Sequence, residues 1–466
     1  MIRKTHFVLL LTLVGASVTA ASGADAMDTA RLRRAKETLK LTDATVQRLS
    51  LPDKPVVVHE IRFQHERADW TLRLEPFSVR SPDFEVLVQQ PDGSLKSETP
   101  PAPCTWRGEI VEQAGSRVVA SIIDGKITAL IQLPADTWHI QPVPTTLDDM
   151  TLVHAIYNAR QVIPDARGRC GVGSGPGNGN ADMPIPAGPS GGPTEGGVTR
   201  ATSIAFDADF EYYQANGSSV TATVLDIEDI LTGVDQIYRA ELNISYILRT
   251  VIVRAVVNDP YTPNLEAATM RDQFRNHWIA NHTGVVRDVA HLMSGRVSTN
   301  GFIGFAYFAG ICNANNGANS GYAYSEGWFT TNHALRVAVV THELGHNWNA
   351  QHCDGQADCS IMCSNLGGCT GNVVEFGTSA TVSIAAFASG VSCFDSLQSP
   401  VFVNGAYFGF EDGSLFFPYN TVREGAWGVT HFGGTVSVTG GTYPETLLLN
   451  RPMTLQTSGG TVTIAP

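Results

Sequence analysis

The sequence predicts a central α/β domain, a β-rich region before it and a small all-β module after it. From residue 202 onward, segments with strand character alternate with segments of helical periodicity, an order that is typical of a layered α/β domain. Before it, strand-like runs such as 55–62 and 70–74 follow a charged helical start. After residue 399 the composition changes to Gly, Thr and short β runs. With 466 residues, the chain has room for two or three such units.

The first 26 residues predict a secretory signal. Arg3 and Lys4 supply a basic start, residues 7–18 form an apolar run, and Ala24–Ala26 is a plausible cleavage site. The apolar run is too short to span a membrane, and the sequence predicts no transmembrane segment elsewhere. We therefore expect a secreted, extracellular protein, in which the eight cysteines form disulfide bonds.

The central domain, residues 198–396, has four segments whose secondary structure the pattern predicts. Residues 202–213 and 243–256 have the composition of strands. Residues 220–242 carry apolar side chains at helical spacing and predict a long amphipathic helix. Residues 287–295 predict a second helix that ends at a glycine C-cap.

The segment from His342 to His352, HELGHNWNAQH, has the residue types and spacing of a zinc site. In a helix, His342 and His346 are one turn apart and project from one face. Glu343 is offset by about 100°, which suits a general base that acts on water better than a metal ligand. His352 lies too far along for the same face, so the chain must turn before it. Three neutral imidazoles leave one position of a single catalytic Zn²⁺ open.

This motif resembles the zinc signature of the metzincin metallopeptidases. The run 359–363, CSIMC, supplies the methionine-bearing turn of that class with Met362, and its wording is closest to the reprolysin (adamalysin, or ADAM-type) family. Where metzincins have a glycine between the second and third ligands, this chain has Asn349, the next most tolerant residue at positive φ. The resemblance implies an α/β metzincin catalytic domain: a mixed twisted sheet with long helices and the zinc in a cleft.

The resemblance also implies that residues 27–197 form a propeptide. Residues 104–143 resemble the end of a reprolysin propeptide, although Cys104 lacks its expected cysteine partner near residues 121–123. The run 169–172, RCGV, is followed by a Gly/Pro-rich linker to about residue 197 and resembles a cysteine switch, in which Cys170 ligates the zinc in the latent form only. A Cys104–Cys170 disulfide and an ordinary linker thiol remain as alternatives. We further expect Arg169 to pair with an acidic group beside the cleft.

Residues 301–312 resemble the metzincin edge strand that lies over the cleft. An exposed edge offers free backbone groups that can pair with an extended peptide. The alternative is a buried core strand with a glycine bulge.

Six cysteines fall in the central domain, and fifteen pairings are open to them. We favour Cys312–Cys393 as the long tie, with the other four paired among themselves. A second zinc held by cysteines is the alternative. The six are Cys312, Cys353, Cys359, Cys363, Cys369 and Cys393.

Charge and composition restrict the partners. The formal net charge is −13 and no lysine follows Lys126, which argues against nucleic acid or an anionic membrane. Ca²⁺ is a second candidate cofactor, because strand alternation would put Asp207, Asp209 and Glu211 on one face; solvated surface is the competing interpretation. Residues 433–464, within the module at 397–466, resemble the opening coils of a right-handed parallel β-helix, and we expect that module to be a candidate docking surface for a partner.

The predicted function is that of a secreted zinc endopeptidase made as a latent zymogen. It would hydrolyse protein or peptide substrates by a metal-activated water, with Glu343 as general base. One alternative is a different zinc peptidase clan with Glu375 as third ligand, against which His352 and Met362 argue. The other is a secreted adhesion or binding protein with a vestigial metal site, against which the intact Glu343 argues.

Overall fold

The computed structural model describes residues 18–465 with gaps. Residues 1–17 of the predicted signal peptide and almost the whole predicted linker lie outside the described residues. Among the helices that are described, none is long and apolar enough to cross a membrane. The gaps are at residues 50, 52–58, 66–67, 145–151, 166, 173–198, 264, 314–318, 392, 394, 398–399, 409–412, 414, 417, 430–433, 448 and 450–452.

The described strands and helices are numbered in chain order. The strands are β1 (Thr45–Arg48), β2 (His59–His65), β3 (Ala68–Pro76), β4 (Arg80–Gln89), β5 (Leu95–Glu98), β6 (Thr105–Ile110), β7 (Arg117–Ile123), β8 (Lys126–Gln132), β9 (Thr137–Pro142), β10 (Val153–Asn158), β11 (Arg169–Cys170), β12 (Thr199–Ala208), β13 (Ile244–Val253), β14 (Val289–Ser294), β15 (Phe302–Ala306), β16 (Tyr322–Glu326), β17 (Asp395–Leu397), β18 (Val401–Val403), β19 (Thr435–Tyr443) and β20 (Thr454–Ile464). The helices are α1 (Val18–Leu39), α2 (Phe210–Ala215), α3 (Val220–Leu242), α4 (Ala267–Asn281), α5 (His333–Asn347), α6 (Thr378–Gly390) and α7 (Val422–Gly428).

We call the described residues before the gap at 173–198 the N-terminal region, and those from Thr199 to Leu397 the central region. Eight strands of the N-terminal region form one antiparallel sheet in the order β1-β10-β9-β8-β7-β6-β3-β2. Along β2 the residues alternate strictly between buried and exposed, as the alternating sequence predicts for a sheet with one covered face. Strand β7 of this sheet packs on helix α3 of the central region.

The central sheet is mixed, with the order β11-β15-β16-β14-β12-β13-β4-β5 and with β17 paired to the start of β12. Strand β13 runs parallel to β12 and β4, β14 runs parallel to β12 and β16, and β15 is antiparallel to β16. Helices α3 and α5 pack together, and α4 packs against β15 and β16. The predicted α/β class is therefore present. Three strands of this sheet (β4, β5 and β11) come from the N-terminal region.

The helix predicted over residues 220–242 is present with those bounds, as α3. The apolar residues at helical spacing along it, from Val224 to Ile237, are buried. Its first turn is capped by Ser219, whose side chain accepts a hydrogen bond from the Ala222 amide at 3.2 Å. Its C-cap Asn243 has φ of 55°, the left-handed conformation that ends a helix.

Two predicted elements are wrong. The strand predicted over residues 202–213 ends at Ala208, because the Asp209 side chain caps α2 by accepting from the Tyr212 amide. The helix predicted over residues 287–295 is strand β14, whose six residues are all buried between β12 and β16. A buried apolar run this short does not distinguish a helix from a central strand. Helix α4 was not predicted.

The C-terminal residues form a separate three-stranded parallel sheet, β18-β19-β20. Its small core is made by valines of β18 and β19 with α7 packed nearby. Most residues of β20 are exposed. Parallel pairing of successive strands agrees with the expected β-rich module, and the likeness to a β-helix stays a prediction.

Candidate metal centre

Helix α5 carries the first two histidines of the motif. It begins at His333 and is capped by Asn332, whose side chain accepts a hydrogen bond from the Leu335 amide at 3.2 Å, and all its residues are buried. One turn of helix brings His342 Nε2 and His346 Nε2 to 3.1 Å from each other. The predicted common face is present.

The chain turns after α5 at Asn349, which has φ of 69°. The Asn349 amide donates to the His346 carbonyl at 2.8 Å, and the Ala350 amide donates to the Gly345 carbonyl at 2.9 Å. This left-handed turn carries His352 back, so that its Nε2 lies 3.1 Å from that of His342. The prediction that Asn349 keeps the turn is confirmed.

The hydrogen bonds of the outer ring nitrogens fix which nitrogens face inward. His342 Nδ1 lies 2.6 Å from the Ile361 carbonyl and His346 Nδ1 lies 2.7 Å from the Ala350 carbonyl. A carbonyl only accepts, so each Nδ1 donates, and each neutral ring presents an unprotonated Nε2 to the centre. Burial, together with the smaller effect of the neighbouring His352, lowers the pKa of His342 to about 3, which keeps the ring neutral.

Lone pairs of nitrogen atoms at 3.1 Å repel one another unless a cation lies between them. A four-coordinate zinc with Zn–N near 2.0–2.1 Å separates its nitrogen ligands by about 3.3 Å, and a nitrogen from a sulfur by about 3.6 Å. The observed separations are 3.1 Å between imidazole nitrogens and 3.5 Å from Cys170 Sγ to His346 Nε2. The four ligand atoms of Cys170, His342, His346 and His352 all lie within 4.8 Å of one another. Their chemistry and spacing fit one zinc ion.

The Cys170 thiol is buried and free. Burial raises the pKa of this thiol well above its ordinary value, and the nearby Glu343 carboxylate raises it too. A divalent cation among the three imidazoles would reverse that balance and favour the thiolate.

Glu343 lies beside the histidine cluster and outside it. Both of its carboxylate oxygens are buried without a hydrogen-bond partner among the described residues. Burial raises the pKa of Glu343 to about 8, against the opposing effects of the Cys170 thiol and the Arg271 charge. The carboxylate lies against Gly304 of β15, where an added Cβ would be 2.1 Å from Oε1. A buried, unpartnered carboxylate of raised pKa is what a proton-transfer group requires.

Met362 packs on α5, the helix that carries His342 and His346. It is fully buried, and a Cβ added at Gly345 would be 2.6 Å from its sulfur. The surrounding loop is held by the disulfides Cys353–Cys359 and Cys363–Cys369. A third disulfide, Cys312–Cys393, joins residues 81 positions apart. The favoured disulfide pairing is confirmed. The alternative, a second zinc held by cysteines, is wrong, because all six of these sulfurs are in disulfides.

Residues 168–171, which we call the cleft segment, lie between two walls. On one side Cys170 pairs in parallel with Gly304 of β15, and the Gly171 amide donates to the Gly304 carbonyl at 3.2 Å. On the other side the Cys170 amide donates to the Ser364 carbonyl at 2.9 Å, and the Leu366 amide donates to the Gly168 carbonyl at 2.8 Å. The segment thus occupies the free edge of β15, next to the histidines.

One further expectation and two of the alternatives fail. Cys104 and Cys170 are both free, so the alternative disulfide between them is absent. Arg169 pairs with no acidic group among the described residues; its guanidinium lies 5.5 Å from the centre of the Phe302 ring. Glu375, the alternative third ligand, hydrogen-bonds to Asn372 and lies outside the histidine cluster.

The suggested calcium group is absent among the described residues, and the competing view that these residues are solvated fits only Glu211, whose side chain is 35% exposed. Asp207 is buried and pairs with Arg254 at 2.6 Å, and Asp209 is buried as the cap of α2. Glu211 lies on α2 and pairs with Arg296 at 2.6 Å. The break between β12 and α2 ends the strand alternation on which that prediction rested.

Sequence reasoning missed several residues of the site. Gly304 and Ser364 supply the walls of the cleft, and Phe308 places its ring 5.1 Å from that of His346. Arg271 of α4 donates to the Ala306 carbonyl at 3.1 Å and lies over the Tyr307 ring at 3.6 Å. The glycine at 304 inside an apolar run was the only local signal, since such a glycine often marks a close approach.

Comparison with known proteins agrees with this site. Residues 198–386 match the family model Reprolysin_5, described as metallo-peptidase family M12. That match supports a metallopeptidase of the reprolysin-like type, a class that uses zinc, in this part of the chain. The solved structure of metalloproteinase-II from Bacteroides fragilis is also similar, at 12% identity over 71% of this chain and 92% of that chain, with a TM-score of 0.40.

Proposed function

We propose that this protein is a secreted zinc endopeptidase made in a latent form. The convergence of three inward-facing Nε2 atoms beside an unpartnered buried carboxylate supports this most strongly. His342, His346 and His352 would hold the ion. When bound, zinc supplies Lewis-acid polarisation of a carbonyl and acidification of a water.

Glu343 is the proposed general base and acid. It is on the same helix as two ligands, one residue from His342, and its oxygens are not committed to another group. It would take a proton from the attacking water and deliver it to the leaving amine.

The proposed substrate is an extended peptide bound along β15. The Gly304 carbonyl and the Ser364 carbonyl already accept hydrogen bonds from the backbone of the cleft segment. Any extended peptide offers the same amide donors, and its affinity would come from such main-chain pairing.

Latency follows from the same contacts. With Cys170 3.5 Å from His346 Nε2 and the cleft segment on the edge of β15, neither a water nor a peptide can reach Glu343. Secretion is proposed from the N-terminal signal and agrees with the disulfides. We retain a docking role for the C-terminal module as a proposal.

The test measures zinc content together with hydrolysis of casein or gelatin after mercurial treatment. Glu343→Gln should bind one zinc per chain and lose hydrolysis, because the amide cannot accept the proton. The matched control is Glu375→Gln, which removes a carboxylate that lies outside the cluster and should leave hydrolysis intact. If Glu343→Gln kept more than about a hundredth of the activity, a base that contributes ~10²–10⁴-fold would be ruled out.

A further inference from the structure

The central sheet is completed by strands from the N-terminal region. Strand β4 runs parallel to β13 along Glu85–Val88, and the Leu248 amide donates to the Val79 carbonyl at 2.8 Å. Strand β5 then covers the other side of β4. Without these two strands, β13 would be an edge strand in which nine of ten residues are buried apolar or hydroxyl side chains. Long apolar edges of this kind associate with other chains.

A buried ion pair joins the same two regions. Arg80 of β4 pairs with Glu228 of α3 at 2.6 Å, and both side chains are buried, at 6% and 0% exposed. Ser78 donates to the other oxygen of Glu228 at 3.1 Å. Separation of the two regions would break this ion pair and the Ser78 hydrogen bond together, and removal of one partner from a buried pair is strongly unfavourable.

The N-terminal region also caps the helix that carries the histidines. The His333 amide, at the start of α5, donates to Gln141 Oε1 at 2.9 Å, and Tyr157 donates to the same oxygen at 2.7 Å. The buried N-cap Asn332 donates through Nδ2 to the Leu39 carbonyl at 2.8 Å. These groups fix the first turn of α5, which would otherwise have unsatisfied buried donors.

One apolar core spans both regions. Phe77, Val79 and Val86 of the N-terminal region belong to the same buried cluster as Ile204 and Leu248 of the central region. The cleft segment differs, because it is attached mainly by backbone hydrogen bonds at the rim of the sheet.

From these contacts we propose that the N-terminal region is a permanent structural partner of the metallopeptidase region. After a cut in residues 173–198, residues 29–165 stay bound as a second, non-covalent subunit. Only the cleft segment has to leave for the site to open. This inference concerns association and holds whether or not the metal centre is catalytic.

The test uses the full chain with a site-specific protease sequence placed within residues 173–198, in the Glu343→Gln background to prevent self-digestion. After cleavage, the two fragments should elute together at the mass of the intact chain in native buffer, and separate only in denaturant. Elution of the N-terminal fragment on its own, at micromolar concentration in native buffer, would overturn the proposal whatever the state of the other fragment.

Matched variants locate the contacts that hold the fragments together. Arg80→Ala should raise the dissociation constant of the cut chain by roughly tenfold or more, because Glu228 loses its buried partner. The control Arg73→Ala removes exposed ion pairs to Glu60 and Glu109 within the N-terminal sheet and should not change it. If Arg80→Ala fails to fold, Gln89→Ala serves instead, since Gln89 donates to the Asn258 carbonyl across the same boundary. Equal dissociation of the Arg73 variant and the interface variant would contradict the assigned contacts.

Discussion

Replacing Cys170 with serine should release only part of the latent activity. The substitution removes the thiol that lies 3.5 Å from His346 Nε2 and leaves the backbone of the cleft segment unchanged. A serine hydroxyl is a far poorer zinc ligand than a thiolate. The segment would still be held on both walls of the cleft.

The size of the effect follows from those remaining bonds. Three backbone hydrogen bonds hold the segment, from Leu366 to Gly168, from Cys170 to Ser364 and from Gly171 to Gly304. At about 1 kcal/mol each they amount to about 3 kcal/mol. Because 1.4 kcal/mol is a factor of ten, the closed cleft is still favoured by roughly a hundredfold. Cys170→Ser should therefore exceed the wild type, yet reach only about a hundredth of the fully opened activity.

A second substitution separates the thiol from the backbone pairing. At Gly171, an added Cβ would be 2.6 Å from the Phe305 ring and 2.9 Å from the Phe302 ring. Gly171→Ala should destabilise the seated segment by about 1–3 kcal/mol, as overpacking does. Added to Cys170→Ser, it should raise activity by a further roughly five- to a hundredfold.

The assay is the initial rate of cleavage of a quenched fluorescent peptide by the uncut chain, with zinc content measured in parallel. Activity of Cys170→Ser equal to that of the wild type would refute the thiol as the cause of latency. Full activity in the single variant would instead show that the backbone pairing contributes nothing.

Three other results are expected. Asn349→Val places a β-branched residue at φ of 69°, which should displace His352 and weaken zinc binding about tenfold. Asn349→Gly tolerates that φ and should leave zinc binding unchanged. Zinc titration with a competing chelator measures both variants. Gly304→Ala puts a Cβ 2.1 Å from a Glu343 oxygen and should lower hydrolysis about a hundredfold, because the carboxylate is displaced. The zinc content should stay unchanged, and a loss of zinc would indicate misfolding instead. Burial lowers the pKa of His154 to about 4, whereas an unfolded histidine has a pKa of about 6.5. Between these two pH values the unfolded chain binds more protons at His154 than the folded chain does. The contribution of His154 to the free energy of unfolding should therefore fall by up to about 3 kcal/mol as the pH drops through this range. Urea unfolding measured from pH 7 to pH 4 checks this share: His154→Gln should reduce the slope by that amount, while His282 and His291, whose pKa values burial lowers to about 4 and about 3, keep the remainder.

Features that depend on local geometry can be predicted from the sequence. The spacing of the histidines places two of them on one helical face, and the side-chain tolerance of Asn349 allows the turn that returns the third. The bounds of α3 follow from its apolar period of 3.6 and its caps at Ser219 and Asn243. Each of these depends on residues within a few positions of one another, so their pattern can be read along the chain.

The tertiary structure alone decided which distant segments meet. Residues 289–294 became the strand β14 because β12 and β16 flank them on both sides, a condition that their own apolar run does not express. Asp207 looked like a surface ligand and is buried because Arg254, Tyr261 and Trp278 surround it. The parallel pairing of β4 with β13 joins residues more than 150 positions apart, and no short-range pattern encodes such a partner. The three histidines of the candidate site are close together in the sequence, whereas Cys170 and the scaffold that holds them are brought in by pairings across most of the chain.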